Sequence, residues 1–148
     1  MRLPRANPPF FFLTTIILMV LLNWLGPVHQ LFPVPWNLIG LAPLAGGLYL
    51  SVWTDRLFKQ AGTTVKPYES PERLMLGGPF RISRHPMYLG MIAAILGVAI
   101  LLGSLGALLM ILPFALIMDR FVAMEERNLL DTFGRHYQDY RRRVRRWL

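Results

Sequence analysis

Two short groups of residues in this chain have the types and spacing to do chemistry: Arg84-His85-Pro86 with Tyr88 just beyond, and the adjacent acids Glu125 and Glu126. Pro86 disfavours helical backbone at His85 yet suits the first turn of a helix, so the apolar run from Met87 predicts a helix with Arg84 and His85 at its mouth. Free backbone N–H groups and the positive end of the helix dipole collect there, which suits a carboxylate or phosphate. The plainer reading is a loop with two basic residues at a membrane boundary. Glu125 and Glu126 argue against that plainness, because a mere anchoring segment on an anionic leaflet favours Lys or Arg over paired acids.

The elements that must position these groups follow from hydropathy. In 148 residues, 54% are hydrophobic and the mean hydropathy is +0.41, which points to membrane spans. Four apolar runs, at about 10–25, 36–53, 87–102 and 107–124, predict an all-α integral-membrane domain over 1–148 built as two helical hairpins. The third and fourth runs are short for a full crossing, and Pro113 predicts a kink in the fourth. Between the hairpins, residues 54–86 are polar and predict a segment at or outside the interface.

All 16 Lys and Arg lie before the first run, between 54 and 86, or from Arg120 onward, and all 8 acids, from Asp55 to Asp139, lie between 54 and 86 or from Asp119 onward. The positive-inside rule then places both termini and the central segment in the cytoplasm, most simply of a bacterial or archaeal inner membrane. Topology accounts for the net charge of +8, so nucleic acid is not needed to explain it. Cysteine is absent, which excludes a thiolate nucleophile or zinc site, and there is no histidine cluster at metal spacing. The middles of the spans carry no Asp, Glu, Lys or Arg, which counts against an ion pump or proton relay.

From Asp119 onward, Glu126, Leu130, Phe133, Tyr137, Tyr140, Val144 and Trp147 recur at spacings of four and three and share one helical face. Arg127, Arg135, Arg141, Arg142, Arg145 and Arg146 occupy the other, the pattern of a basic amphipathic helix on anionic membrane lipids, with Gly134 a candidate break. The topology returns His85 and Glu125-Glu126 to one end of the second hairpin, so they should face each other. A helix mouth, a histidine, an aromatic ring and two carboxylates suit a zwitterionic, aromatic ligand: carboxylates for an ammonium or ribose diol, rings for a base or sulfonium. S-adenosylmethionine has all of these groups.

Gly78-Pro79-Phe80-Arg81, Arg84-His85-Pro86-Met87-Tyr88-x-Gly90, Glu125-Glu126-x-x-Leu129 and Phe133-Gly134-x-x-Tyr137-x-x-Tyr140 with Val144-x-Arg146 resemble the isoprenylcysteine carboxyl methyltransferase family and its broader relatives, the phospholipid methyltransferases. Gly62-Thr63-Thr64-Val65-x-Pro67 is similar to an upstream motif of small bacterial members. The resemblance covers roughly 57–147 and places the cofactor segments at 62–90 and 119–147. It implies S-adenosylmethionine contacts at Glu72, Arg73, Leu74, Met75, Phe80, His85, Pro86, Met87, Tyr88 and Glu125, with Glu126 beside them. It also implies substrate contacts at Arg84 and at Arg120, which adjoins Phe121, the position where prenylcysteine enzymes carry an arginine.

The activity so implied is methyl transfer to a lipophilic acceptor entering from the bilayer: a prenylcysteine-like carboxylate, a lipid amine or a thiol. In-line displacement at a sulfonium requires alignment and dryness above all. A carboxylate acceptor needs no base, whereas an amine would lose its proton to His85 or Glu126. Two other readings fit the sequence, a nicotinamide-dependent membrane enone or sterol reductase and a non-catalytic membrane protein on the same scaffold.

Overall fold

The computed structural model describes residues 7–26, 29–63 and 71–148, and the regular elements among them are helices. In chain order these are α1 (Pro8–Leu25), a 3₁₀ turn (Trp36–Gly40) leading into α2 (Leu41–Ala61), a second 3₁₀ turn (Gly78–Arg81), α3 (Pro86–Leu102), α4 (Leu105–Leu109), α5 (Ile111–Phe133) and α6 (Arg135–Arg143). Arg2, Arg5 and Lys66, and Thr64, Val65 and Pro67 of the upstream motif, lie outside the described residues.

Among the described residues, two stretches are long and apolar enough to cross a bilayer: α1, and α4 with α5 taken together over Leu105–Phe133. Four spans were expected, but α3 has only 17 residues, and α2 mixes its apolar residues with glycines and ends through Asp55, Arg56 and Lys59. The outward faces are apolar, with Phe10, Leu13, Ile17 and Leu22 on α1 and Leu109, Leu112 and Leu116 on α4–α5 exposed, as suits contact with lipid.

α3 is the central helix, packed on α2 along one side and on α1 and α5 along others. Its contact with α2 is a seam of small residues. A Cβ on Gly47 would collide with the Gly90 carbonyl and the Ala94 nitrogen, and one on Gly97 would collide with the Leu44 nitrogen and the Gly40 carbonyl. Backbones approach this closely only where side chains are missing, as in packed membrane helices. Ser51 Oγ donates to the Met87 carbonyl at 3.3 Å and the Asn37 amide to the Leu101 carbonyl at 2.8 Å, tying the two ends of the seam.

The apolar core between α1, α3 and α5 holds Met19, Tyr88, Met91, Ile95, Phe114, Met118 and Phe121. Phe121 stacks on Phe11 with ring centroids 5.6 Å apart. A second cluster, of Phe80, Tyr137 and Tyr140 with Phe58, Leu74 and Met75 packed against it, closes the end of the bundle that carries the charges.

Three boundaries differ from the sequence expectation. α2 does not stop at the charges after Trp53. It runs to Ala61, with Gly62 in left-handed conformation (φ 65°) donating its N–H to the Lys59 and Phe58 carbonyls, because an Asp55–Lys59 pair at helical spacing (2.6 Å) supports the extra turns. The turn after α3 is tighter than the four residues expected: Gly103 (φ 71°) ends α3, and the Ser104 hydroxyl accepts the Ala107 N–H at 3.3 Å to start α4. The fourth helix breaks at Met110, three residues before Pro113, whose missing N–H cannot bond back into the preceding turn. The expected break at Gly134 is present (φ 49°, ψ −119°) and separates α5 from α6.

Candidate active site

The site is built where α3 begins. Gly77 enters the second 3₁₀ turn in extended conformation and Gly78 takes φ 59°, which swings Pro79 and Phe80 inward. After the turn, the His85 N–H donates to Ser83 Oγ at 3.2 Å, and Pro86 starts α3 as the sequence predicts. Arg84, His85 and Tyr88 are all buried.

α5 brings the two acids opposite. Arg84 Nη2 donates to Glu126 Oε1 at 2.6 Å, and His85 Nε2 lies 3.4 Å from the same oxygen. His85 Nδ1 faces Glu125 Oε2 at 3.7 Å, beyond hydrogen-bond reach. The two groups separated in sequence therefore meet, and they divide as adjacent helical residues must: Glu126 engages the arginine while Glu125 turns to a cleft. Burial by itself would lower the His85 pKa, but the contact with Glu126 and the nearby charges of Glu125 and Glu126 outweigh it and hold the imidazole above its ordinary value.

The cleft, about 180 Å³, lies between the start of α1 (Asn7, Pro8, Pro9), α2 (Thr54, Asp55, Phe58), Phe80, residues Arg84 to Tyr88 and Met91 at the mouth of α3, and Glu125. Its apolar walls are the rings of Phe58, Phe80 and Tyr88, the side chains of Met87 and Met91, and three prolines. Three buried polar atoms on residues that line it have no hydrogen-bond partner among the described residues: Arg84 Nε, His85 Nδ1 and Glu125 Oε2. Buried polar atoms are normally satisfied, so a cation-and-anion donor set left open beside an aromatic wall fits a small zwitterionic ligand better than a packed core.

Of the residues expected at the site, Phe80, Arg84, His85, Pro86, Met87, Tyr88 and Glu125 line this one cleft. Glu126 stands immediately behind it. Glu72 to Met75 do not line it. The Glu72 N–H donates to Thr63 Oγ1 at 3.1 Å, Glu72 and Arg73 are exposed, and Leu74 and Met75 pack on the Phe80 cluster. Arg120 is exposed and is not among the cleft residues, being turned about 140° around the helix from Glu125. The Arg84 guanidinium is committed to protein, to Glu126 through Nη2 and to the Arg141 and Val144 carbonyls through Nη1 at 3.1 Å each. Arg146, expected on the outer basic face, is instead turned inward to Glu126 Oε2 at 2.7 Å and Asp119 Oδ1 at 3.2 Å. Helical periodicity misplaced it because the helix ends at Arg143 and Val144 is extended.

Sequence reasoning missed the α2 contribution of Thr54, Asp55 and Phe58 and that of Pro8 and Pro9. The signal for α2 was present in Gly62 as a helix stop and in the Asp55–Lys59 spacing. For the start of α1 the local sequence held none.

Among the described residues, an all-helical scaffold places these cationic and anionic groups at the mouth of a central helix. Residues 36–136 match the model of the phospholipid methyltransferase family, and the chain belongs to that family. It is 33% identical over 75 residues, 51% of its length, to methanethiol S-methyltransferase 1 of Bradyrhizobium diazoefficiens, and the match spans only 26% of that longer protein. It is 38% identical over 63 residues, 42% of its length, to an uncharacterized protein of Haemophilus influenzae, whose whole length is covered. No solved structure matches the chain. The reductase reading of the sequence gives way to membership of the phospholipid methyltransferase family.

Proposed function

We propose that the chain uses S-adenosylmethionine to methylate a lipophilic or small volatile acceptor that reaches the cleft from the bilayer. The observation that carries this reading is the set of three open polar atoms, Arg84 Nε, His85 Nδ1 and Glu125 Oε2, beside an aromatic-walled cleft. Glu125 would take the ammonium or the ribose hydroxyls, Arg84 Nε the carboxylate, and Phe80 and Tyr88 the base or sulfonium. When bound, the cofactor supplies an electrophilic methyl group on a sulfonium. The protein's part is to fix donor and acceptor in line and exclude water, which the buried aromatic wall favours.

Asp55 and Glu125 put two acids at the cleft, and the Arg84 guanidinium is largely spent on Glu126 and backbone carbonyls. Such a lining repels a carboxylate acceptor and favours a thiol or an amine, with His85 placed to accept its proton. The S-methyltransferase relative supports the thiol. Incubation of detergent-purified protein with methyl-tritiated S-adenosylmethionine and, separately, methanethiol, a membrane lipid extract and a prenylcysteine tests this. Label in the thiol or lipid arm is expected, and label in the prenylcysteine arm alone would overturn the acceptor assignment.

We further propose that all four long helices cross an inner membrane, with both termini and the 54–86 segment in the cytoplasm, since every Lys and Arg falls on that side. The exposed Arg127, Arg135, Arg141 and Arg142 then lie against anionic headgroups. A reporter fused after Leu148 and another within 26–35 should report opposite sides. An external C-terminus would refute this topology.

A further inference from the structure

After Val144 the chain leaves the helix and lies back across the base of the site. The Arg145 carbonyl accepts the Arg84 N–H at 3.0 Å, and the Arg146 carbonyl accepts the Ser83 hydroxyl at 3.0 Å. This strap delivers the Arg146 guanidinium to Glu126 Oε2 from the side opposite His85's contact with Oε1, with a second arm braced on Asp119. Asp119 and Glu126 are seven positions apart on α5 and so share a face. Arg146 lies beyond the matched family region, which ends at 136, and it is not among the residues lining the cleft.

The unpartnered Arg84 Nε gives this contact a purpose. Nε and Nη2 lie on one edge of the guanidinium, and a carboxylate beside that edge gains most by taking both in a two-pronged fork. Glu126 uses Nη2 alone. Holding Oε2 on Arg146 stops the carboxylate from rotating into that fork, which would draw Oε1 away from His85 Nε2. We infer that Arg146 is a positioning residue: it holds Glu126 off the Arg84 fork, so that Glu126 stays on His85 Nε2 and the imidazole keeps Nδ1 directed at Glu125 and the cleft. The catalytic use of His85 rests on the methyltransferase reading, whereas the positioning itself does not.

The titratable and charged groups around His85 are Glu125 and Glu126 from α5, Arg84 beside it and the Tyr88 ring at 6.0 Å, with Arg146 of the strap acting on it through Glu126. The test is to titrate ring-labelled histidine by NMR in detergent micelles, with His29→Gln and His136→Gln assigning the two other histidines. Simple electrostatics and positioning predict opposite signs for Arg146→Gln. Removing a cation while Glu126 stays put raises the His85 pKa, whereas release of Glu126 into the Arg84 fork lowers it toward the ordinary 6.5. We expect a fall, with Arg146→Lys returning the value at least halfway to wild type. An unchanged or raised pKa in Arg146→Gln overturns the inference. Should Arg146→Gln not fold, Asp119→Asn removes only the outer brace, and the same fall, smaller in size, is expected of it, while no fall or a rise overturns the inference equally. S-adenosylhomocysteine titration on the same samples separates the two claims: wild type that does not bind removes the cofactor reading and leaves the His85 result standing. Where wild type binds, Arg146→Gln should weaken binding severalfold, because Glu126 released onto Arg84 Nε competes there with the ligand carboxylate, and unchanged affinity beside a fallen His85 pKa would remove Arg84 Nε from the cofactor site.

Discussion

Glu125→Gln isolates the polar contact on which the cofactor assignment depends. Glutamine keeps the shape of the side chain and removes its charge. Glu125 has the ionisable His85 ring at 3.7 Å, and its Oε2 has no hydrogen-bond partner among the described residues, so the substitution disturbs little of the fold. A hydrogen bond from a ligand ammonium or ribose hydroxyl to a carboxylate contributes about 1.5–3 kcal/mol, which is roughly a 10- to 150-fold change in affinity. Isothermal titration of S-adenosylhomocysteine into detergent-purified Glu125→Gln should therefore show at least a tenfold loss, with the melting temperature nearly that of wild type. Glu126→Gln should behave in the opposite way. Its carboxylate is paired with Arg84, both side chains under a tenth exposed, and breaking one partner of a buried pair costs about 3–5 kcal/mol of stability. If Glu125→Gln binds normally and Glu126→Gln does not, the two roles are exchanged. Normal binding in both takes the pair out of the cofactor site.

Gly47→Ala should lower the melting temperature, by the ~1–3 kcal/mol typical of overpacking, because its new methyl meets α3 backbone, whereas Gly46→Ala, with nothing within 4 Å, should be neutral or stabilising. Tyr140→Phe removes the hydroxyl that donates to the Phe80 carbonyl at 2.6 Å and should cost about 1 kcal/mol, read as a lower melting temperature. His85 has a folded-state pKa above its ordinary value. Its contribution to stability is therefore complete below about pH 6.5 and is lost as pH rises through the folded-state value. Melting temperature should fall over that interval in wild type, and the fall should shrink in His85→Gln. Tyr88→Ala should weaken S-adenosylhomocysteine binding while the protein still melts cooperatively, and unchanged affinity with lost stability would reduce Tyr88 to packing.

The meeting of His85 with Glu125 and Glu126 was legible in the sequence because both groups sit at ends of apolar runs, and hydropathy alone fixes which ends coincide. The stop at Gly134 was legible for the same kind of reason, since a glycine inside a strong 3.6-residue pattern marks a local choice. The position of Arg146 was not, because periodicity extrapolates a helix past Arg143, and only the backbone contacts of Ser83 and Arg84 with residues 145 and 146 pull the strap inward. Asp55 read as the end of a span, since charge marks a membrane boundary without marking the end of a helix. The glycine seam between α2 and α3 was hidden too: Gly40, Gly47, Gly90 and Gly97 pair only once the register of the two helices is known.

The central claim is that the cleft at the mouth of α3 holds S-adenosylmethionine. Calorimetric titration of detergent-purified wild-type protein with S-adenosylhomocysteine tests it most directly. The account predicts saturable one-to-one binding that competes with S-adenosylmethionine and is weakened in the Glu125→Gln and Tyr88→Ala variants; absence of binding by folded wild-type protein would contradict it.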